Sequence, residues 1–177
     1  MSLSVRPIAS GADLAAAKDL CRAFRDVFAT TNSADPDVVE AYYSEETFED
    51  LLARLPEIHA PPRGGILLAT HHDEPVGCAM LAPLAGDRCE LKRMFVTANA
   101  RGLGAGRALL AAAKRYAADA GYTIMQLDTG PRQTEAIALY ERDGFRRIPA
   151  PDSLPQRMRD WLIFMETRLD PQPESSS

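Results

Sequence analysis

The segment from residue 94 to residue 107 constrains the fold of this chain more than any other. It reads MFVTANARGLGAGR, an apolar strand that runs into a glycine-rich turn and then into a long amphipathic helix. Closely spaced glycines remove Cβ atoms where the backbone must approach another group. The first turn of a helix also presents N–H groups without intrahelical partners at the positive end of the helix dipole. The segment therefore predicts an anion site suited to a pyrophosphate, with Arg101 and Arg107 adding positive charge.

Known phosphate-binding motifs differ in how well they match this turn. A P-loop requires Lys-Ser or Lys-Thr after its last glycine, and neither follows Gly106. A dinucleotide-binding GxGxxG motif requires a glycine at position 107, which is arginine here. The pattern that fits is Arg-x-x-Gly-x-Gly, formed by Arg101, Gly104 and Gly106. A glycine turn without any ligand is the alternative interpretation when the motif is taken alone.

The rest of the sequence predicts a mixed chain of helices and strands. Apolar patterns predict strands at residues 3–8, 66–70, 76–81, 89–96, 122–128, 145–148 and 161–167. Helical spacing predicts helices at about residues 10–28, 35–55, 104–120 and 134–143, the second of them either continuous or broken. With no repeat and no long linker, the sequence predicts one domain over residues 1–170. Residues 171–177 contain no apolar side chain and are expected to be a disordered tail.

Composition excludes several classes of function. The chain has 20 Lys and Arg against 25 Asp and Glu, a net charge of −5, which argues against a nucleic-acid partner. Its three cysteines are widely spaced without a CxxC pair, and no His, Asp or Glu cluster has metal-ligand spacing, so no metal is expected. No apolar run approaches the ~20 residues that cross a bilayer, and residues 1–20 contain no secretory signal. We therefore expect a soluble, cytoplasmic protein without a membrane partner.

Two segments together resemble the GNAT N-acetyltransferase superfamily. Residues 101–110 (RGLGAGRALL) resemble its acyl-CoA pyrophosphate motif, and residues 134–145 (TEAIALYERDGF) resemble a later helix with a Leu-Tyr pair and a terminal Gly-Phe. The order of elements is also similar over about residues 3–168. The resemblance implies an α/β fold of the α+β type: a mixed, mostly antiparallel, splayed central sheet flanked by about four helices. It also implies acetyl-CoA as cosubstrate and frequent assembly as a homodimer.

The resemblance assigns cofactor-binding roles to individual residues. In this family the strand before the turn splays from its neighbour, so the main chains of Met94 and Val96 would bond the pantetheine arm. Gln133 lies where relatives often have a cofactor-contacting Asn, which is a departure from the family pattern. The pyrophosphate would be held by the whole turn, which comprises Arg101, Gly102, Leu103, Gly104, Ala105, Gly106 and Arg107.

The resemblance also assigns catalytic roles to Tyr140 and Glu90. Tyr140 matches the family's general acid, since a phenol can give a proton to the departing thiolate. Without the family, the helix alone favours an ordinary core tyrosine, since Tyr140 lies on one stripe with Ala136 and Leu139. Glu90 lies on the strand that leads to the turn, where several relatives carry a catalytic Glu acting as base. Its alternation with Lys92 also allows a simple ion pair on one face of the strand.

The sequence thus predicts an enzyme that transfers an acetyl group from acetyl-CoA directly to a primary amine. The acceptor is expected to be an amine of a small molecule, a peptide or a protein. Residues 35–57 contain eight acidic residues against Arg54 alone, and an acidic wall there would favour a cationic acceptor. A solvated helix face explains the same charges. The alternative function is a noncatalytic module that binds acyl-CoA as a sensor.

Overall fold

The computed structural model describes residues 3–171, apart from the side chain of Glu45. The predicted tail lies outside these residues except for Pro171, which is exposed. The strands are β1 (Leu3–Pro7), β2 (Gly65–His71), β3 (Glu74–Pro83), β4 (Arg88–Val96), β5 (Ile124–Thr129), β6 (Arg146–Ile148) and β7 (Ile163–Arg168). The α-helices are α1 (Gly11–Thr31), α2 (Pro36–Tyr43), α3 (Glu45–Ala53), α4 (Leu55–Ile58), α5 (Ala105–Asp119), α6 (Thr134–Arg142) and α7 (Gln156–Trp161).

The strands form one seven-stranded sheet in the order β1-β2-β3-β4-β5-β7-β6. Every neighbouring pair is antiparallel except β4 and β5, which are parallel. That parallel pairing covers only Arg88–Glu90 against Ile124–Gln126, after which the two strands separate. The sheet is therefore mixed, mostly antiparallel and splayed at its centre, which confirms the expected fold class.

Each predicted strand lies within two residues of its predicted ends, because alternation and turn residues mark both ends locally. The helices differ more: the part of the chain from 3 to 171 contains seven, where the resemblance implies about four. Ser44 has extended backbone angles (φ −57°, ψ 137°) and divides the predicted helix at 35–55, which Arg54 interrupts again. Helix α7 spans six residues and is too short to show a helical period in the sequence.

The sheet separates two apolar cores. On one face α5 packs through Leu109, Leu110 and Ala113, which are almost fully buried. On the other face α1 and α3 pack through residues such as Leu20 and Leu52. This arrangement follows from the apolar stripes of the helices, since each helix buries one face against the sheet.

A β-bulge shapes β4 close to the point where it leaves β5. The register between β3 and β4 pairs Cys78 with Phe95 but Met80 with Lys92, so two residues of β4 face one residue of β3. Arg93, inside this bulge, has a φ of 49°, which non-glycine residues adopt at a cost. The bulge redirects the side chains of the last residues of β4.

Candidate active site

A cleft of about 460 Å³ lies between the last residues of β4, the start of α5 and one side of α6. We call it the glycine cleft, because Gly102, Gly104 and Gly106 line it. Every predicted cofactor-binding residue except Leu103 and Gln133 also lines it. Leu103 is 45% exposed at the tip of the turn, and Gln133 lines a neighbouring cavity.

The turn in this cleft presents unpaired amide groups. Gly102 and Gly104 have φ values of 83° and 80°, a conformation that favours glycine. The first hydrogen bond of α5 runs from the Ala108 N–H to the Gly104 carbonyl at 2.9 Å. Among residues 3–171, no hydrogen bond uses the backbone N–H of Gly102, Gly104, Ala105, Gly106 or Arg107. A Cβ on Gly106 would lie 3.3 Å from Leu139 Cδ2, so α6 packs against the bare backbone of α5.

Positive charge surrounds the turn. Arg101, Arg107 and Arg142 all line the glycine cleft, and one acidic residue, Glu135, lies 3.9 Å from Arg101. Helix dipole, free amides and guanidinium groups therefore act in the same direction and favour an anion. Sequence reasoning missed Arg142, which α6 brings to the cleft from 35 residues beyond Arg107.

A second, smaller cavity of about 130 Å³ adjoins the glycine cleft, and Met94 and Ala136 line both. We call it the aromatic cavity, because four aromatic side chains from α1 and α2 form one wall: Phe24, Phe28, Tyr42 and Tyr43. Its opposite side is formed by the separated ends of β4 and β5 and by α6. The splay of the sheet therefore opens both spaces.

Tyr140 lies in the aromatic cavity, on the side of α6 that faces the splayed strands. Its side chain is only 6% exposed and packs against Phe145 with ring centroids 5.5 Å apart. Burial raises the pKa of its phenol, and the negative charge of Asp128 raises it further. The hydroxyl group is therefore held in its protonated form.

Asp128, which the sequence analysis did not single out, is the carboxylate that lines the aromatic cavity. It lies at the end of β5, beyond the last residue that pairs with β4. Burial raises its pKa above the usual aspartate value, Lys92 and Arg93 oppose this effect, and Glu90 adds to it. Its only sequence signal is its place at the end of a buried strand, which many structural residues share.

Glu90 does not line either cavity. Its Oε1 lies 3.0 Å from Lys92 Nζ, in the ion pair that the alternation of the two residues allowed. Its charge nevertheless acts on Asp128, whose pKa it raises. Glu90 is therefore coupled to the cavity electrostatically.

His59 binds the side chain of Arg93, the residue inside the bulge. The ring is 1% exposed, its Nδ1 lies 2.8 Å from the Leu81 carbonyl oxygen, and its Nε2 lies 2.9 Å from Arg93 Nη1. Since a guanidinium only donates, Nε2 accepts this bond and Nδ1–H donates to Leu81. Burial lowers the pKa of His59 to about 4, with the charge of Arg93 contributing. His59 is thus neutral at physiological pH.

The described part of the chain contains neither a helix long and apolar enough to cross a membrane nor three His, Cys, Asp or Glu side chains grouped as metal ligands.

A model described as the acetyltransferase (GNAT) family matches residues 22–145, which include both the splayed strands and the glycine turn. The chain belongs to the GNAT acetyltransferase family. An uncharacterised N-acetyltransferase of Schizosaccharomyces pombe is 34% identical over 103 residues, which are 57% of this chain and 63% of that protein. The uncharacterised N-acetyltransferase YjgM of Escherichia coli is 34% identical over 118 residues, 65% of this chain and 62% of that protein. The matched segments thus span less than two thirds of these GNAT relatives.

A solved N-acetyltransferase structure has the same fold over nearly the whole chain. The PaiA N-acetyltransferase of Thermoplasma acidophilum, solved in complex with coenzyme A, superposes with a TM-score of 0.68 over 95% of this chain and 99% of that one. The two sequences are 18% identical, so the similarity concerns the fold.

The neutral His59 makes the stability of the chain pH-dependent. We expect the free energy of unfolding to fall as the pH drops from about 6.5 to about 4, because His59 of the unfolded chain binds a proton there and folded His59 does not. The loss is at most about 3 kcal/mol, and chemical denaturation at several pH values measures it. In His59→Gln, whose amide can make both hydrogen bonds without titrating, the slope should be smaller. Equal slopes in the two proteins would contradict this assignment.

Proposed function

We propose that this chain is an N-acetyltransferase that moves an acetyl group from acetyl-CoA directly to a primary amine. The supporting observation is that two spaces adjoin: the glycine cleft and the aromatic cavity share Met94 and Ala136 in their linings, and the aromatic cavity is also lined by Tyr140 and Asp128. Acetyl-CoA supplies the acetyl group as a thioester with a diphosphate at the far end of its arm. The two ends of such a molecule match the two spaces.

The glycine cleft fits the cosubstrate. The free amides of Gly102 and of residues 104–107 would bind the diphosphate, with the side chains of Arg101 and Arg107 balancing its charge. The Leu103 amide already donates to the Ala100 carbonyl, so Leu103 would shape the turn and not donate to the diphosphate. The edge of β4 after Glu90 has no strand partner on the β5 side, so backbone groups there are available to the pantetheine amides. Met94 and Val96 are the residues proposed for this contact. Gln133 would contact the acyl end instead, since it lines the aromatic cavity.

Tyr140 is proposed as the general acid. As the amine nitrogen bonds the acyl carbon, the carbon–sulfur bond breaks and the sulfur leaves as a thiolate. A phenol with a raised pKa stays protonated, so it can donate a hydrogen bond, and through it a proton, to the sulfur as negative charge develops there. Tyr140 would donate that proton across the mouth of the aromatic cavity.

Two carboxylates are proposed to handle the proton that the ammonium acceptor loses. Asp128 lines the cavity, and its raised pKa improves it as a base. Glu90, the residue that the family resemblance suggests, is paired with Lys92 and acts on Asp128 through its charge. We assign the direct transfer to Asp128 and an electrostatic role to Glu90.

Replacing Gly104 tests the diphosphate site. Gly104→Ala places a Cβ in open space of the cleft, so we expect the Kd for coenzyme A to rise about tenfold, measured by titration calorimetry. Gly86→Ala is the matched control, because Gly86 also has a positive φ (68°) with nothing within 4 Å of the added carbon, yet lies outside the cleft. The same affinity loss in both variants would point to backbone strain and against the site.

Replacing Tyr140 separates an enzyme from a sensor. Tyr140→Phe should lower kcat by about 100-fold or more, since general acid catalysis contributes at least this factor, while coenzyme A affinity stays unchanged. A thiol-release assay with acetyl-CoA and a broad amine panel measures the rate, and calorimetry measures the affinity. Undiminished turnover would contradict the role of Tyr140. Absence of turnover in the native protein with every amine would favour a sensor.

The acid limb of the pH–rate profile tests the two carboxylates. A base must be deprotonated, so kcat/KM should fall with decreasing pH around a pKa above that of an ordinary aspartate. Asp128→Asn should remove this limb together with most of the activity. Glu90→Gln should retain the limb but move it to lower pH, because the charge of Glu90 raises the pKa of Asp128. The reverse result would identify Glu90 as the base.

A further inference from the structure

Two opposite charges line the aromatic cavity without meeting each other. Among the side chains that the structure describes, no carboxylate lies within 4.0 Å of the Arg93 guanidinium, and Asp128 is in no ion pair. Both residues line the same small cavity, and the charge of Arg93 acts on Asp128 and on Tyr43 across it. Lys92 also lines the cavity, but Glu90 neutralises it at 3.0 Å.

Within the described residues, one hydrogen bond fixes the Arg93 guanidinium, and it leaves the positive charge of this group uncompensated. His59 Nε2 accepts from Nη1 at 2.9 Å, and this ring is neutral because its other nitrogen donates to the Leu81 carbonyl. The backbone of His59 packs closely against Gly64, where an added Cβ would lie 2.7 Å from His59 C. A half-buried cation held by a neutral partner is costly unless an anion joins it.

We propose that the acceptor is a small amine that also carries a carboxylate, such as a free α-amino acid, with its carboxylate on Arg93 and its amino group at Asp128. This proposal rests on the proposed acetyltransferase function and specifies its acceptor. A zwitterion compensates both unpaired charges at once, whereas a simple amine compensates only Asp128. The planar guanidinium retains free N–H groups beside the one that His59 holds, and these match a carboxylate.

The cavity also limits the rest of the acceptor. Phe24, Phe28 and Tyr43 form an apolar wall, which suits a hydrocarbon or aromatic side chain. A volume of about 130 Å³ is similar to that of a protein cavity that holds a benzene-sized molecule. At a peptide N-terminus the carboxylate is replaced by a neutral amide, which would leave Arg93 without an anion. The site therefore favours a free amino acid over a peptide or protein amine.

The test compares free amino acids with their carboxamides. Thiol release from acetyl-CoA is measured with L-leucine, L-leucinamide, L-phenylalanine and L-phenylalaninamide, for the native chain and for Arg93→Gln. We expect Arg93→Gln to lower kcat/KM about 10- to 100-fold for both acids and by less than about threefold for both amides. An amino acid and its amide differ in the basicity of the amine, but this difference is the same for both proteins and cancels in the comparison.

Lys92→Gln is the matched control. It also removes a positive charge from the lining of this cavity, but that charge is already paired with Glu90. It should not distinguish acids from amides. Coenzyme A affinity and the melting temperature verify that each variant is folded. As a measurement independent of any variant, L-leucine should raise the Tm of the native chain with coenzyme A more than L-leucinamide does.

The outcomes separate the two proposals. Equal losses for acids and amides in Arg93→Gln, or a larger Tm shift with L-leucinamide, would overturn the carboxylate site. Acetylation of phenethylamine in that case would leave the acetyltransferase function standing. If no amine is acetylated although coenzyme A binds, the proposed function is wrong, and the Tm comparison alone decides whether Arg93 binds a carboxylate.

Discussion

The parting of β4 from β5 after three paired residues is the constraint on which the site depends. Adjacent strands in a sheet normally satisfy each other's backbone groups along their whole length, and unpaired groups inside a protein are costly. Here the pairing ends at Glu90 and Gln126, so the remaining residues of β4 keep a free edge. The glycine cleft and the aromatic cavity both lie at this gap, and Met94 of β4 lines the two of them. A ligand with amide groups would satisfy the backbone N–H and C=O groups that β4 leaves unpaired along this edge.

The bulge at Arg93 connects this gap to its chemistry. An extra residue in β4 increases the local twist and turns the strand away from its parallel neighbour. A positive φ at an arginine costs free energy, which the fold recovers through contacts of the same residue: the His59 bond, and the Cys78 thiol that donates to the Arg93 carbonyl at 3.4 Å. The backbone strain and the charge in the cavity therefore originate at one residue.

The sequence predicts the parts of the site that depend on local order. The glycine turn can be identified because its strand, its glycines and its helix are consecutive, and the hairpin at residues 71–74 is marked by its turn residues for the same reason. Asp128 and Arg93 could not be identified in this way. Each becomes distinctive only when the splay brings residues 35 positions apart to one cavity. The break of the predicted helix at Ser44 likewise reflects packing, since Tyr43 turns inward against Phe28 with ring centroids 4.9 Å apart.

The acidic residues of the N-terminal half illustrate the same limit. As a sequence feature they suggest a negative wall around the acceptor, but several are already in ion pairs. Asp35 lies 2.5 Å from Arg132 and 2.8 Å from Arg157, and these contacts hold its pKa near 2. They tie the residue before α2 to α7 and to the loop before α6, next to Gln133. The ion pairs of Asp35 therefore stabilise the packing of helices beside the aromatic cavity and do not place negative charge inside it. The charges inside the cavity are those of Asp128 and Arg93, which are opposite in sign and line a space that a single small molecule would fill.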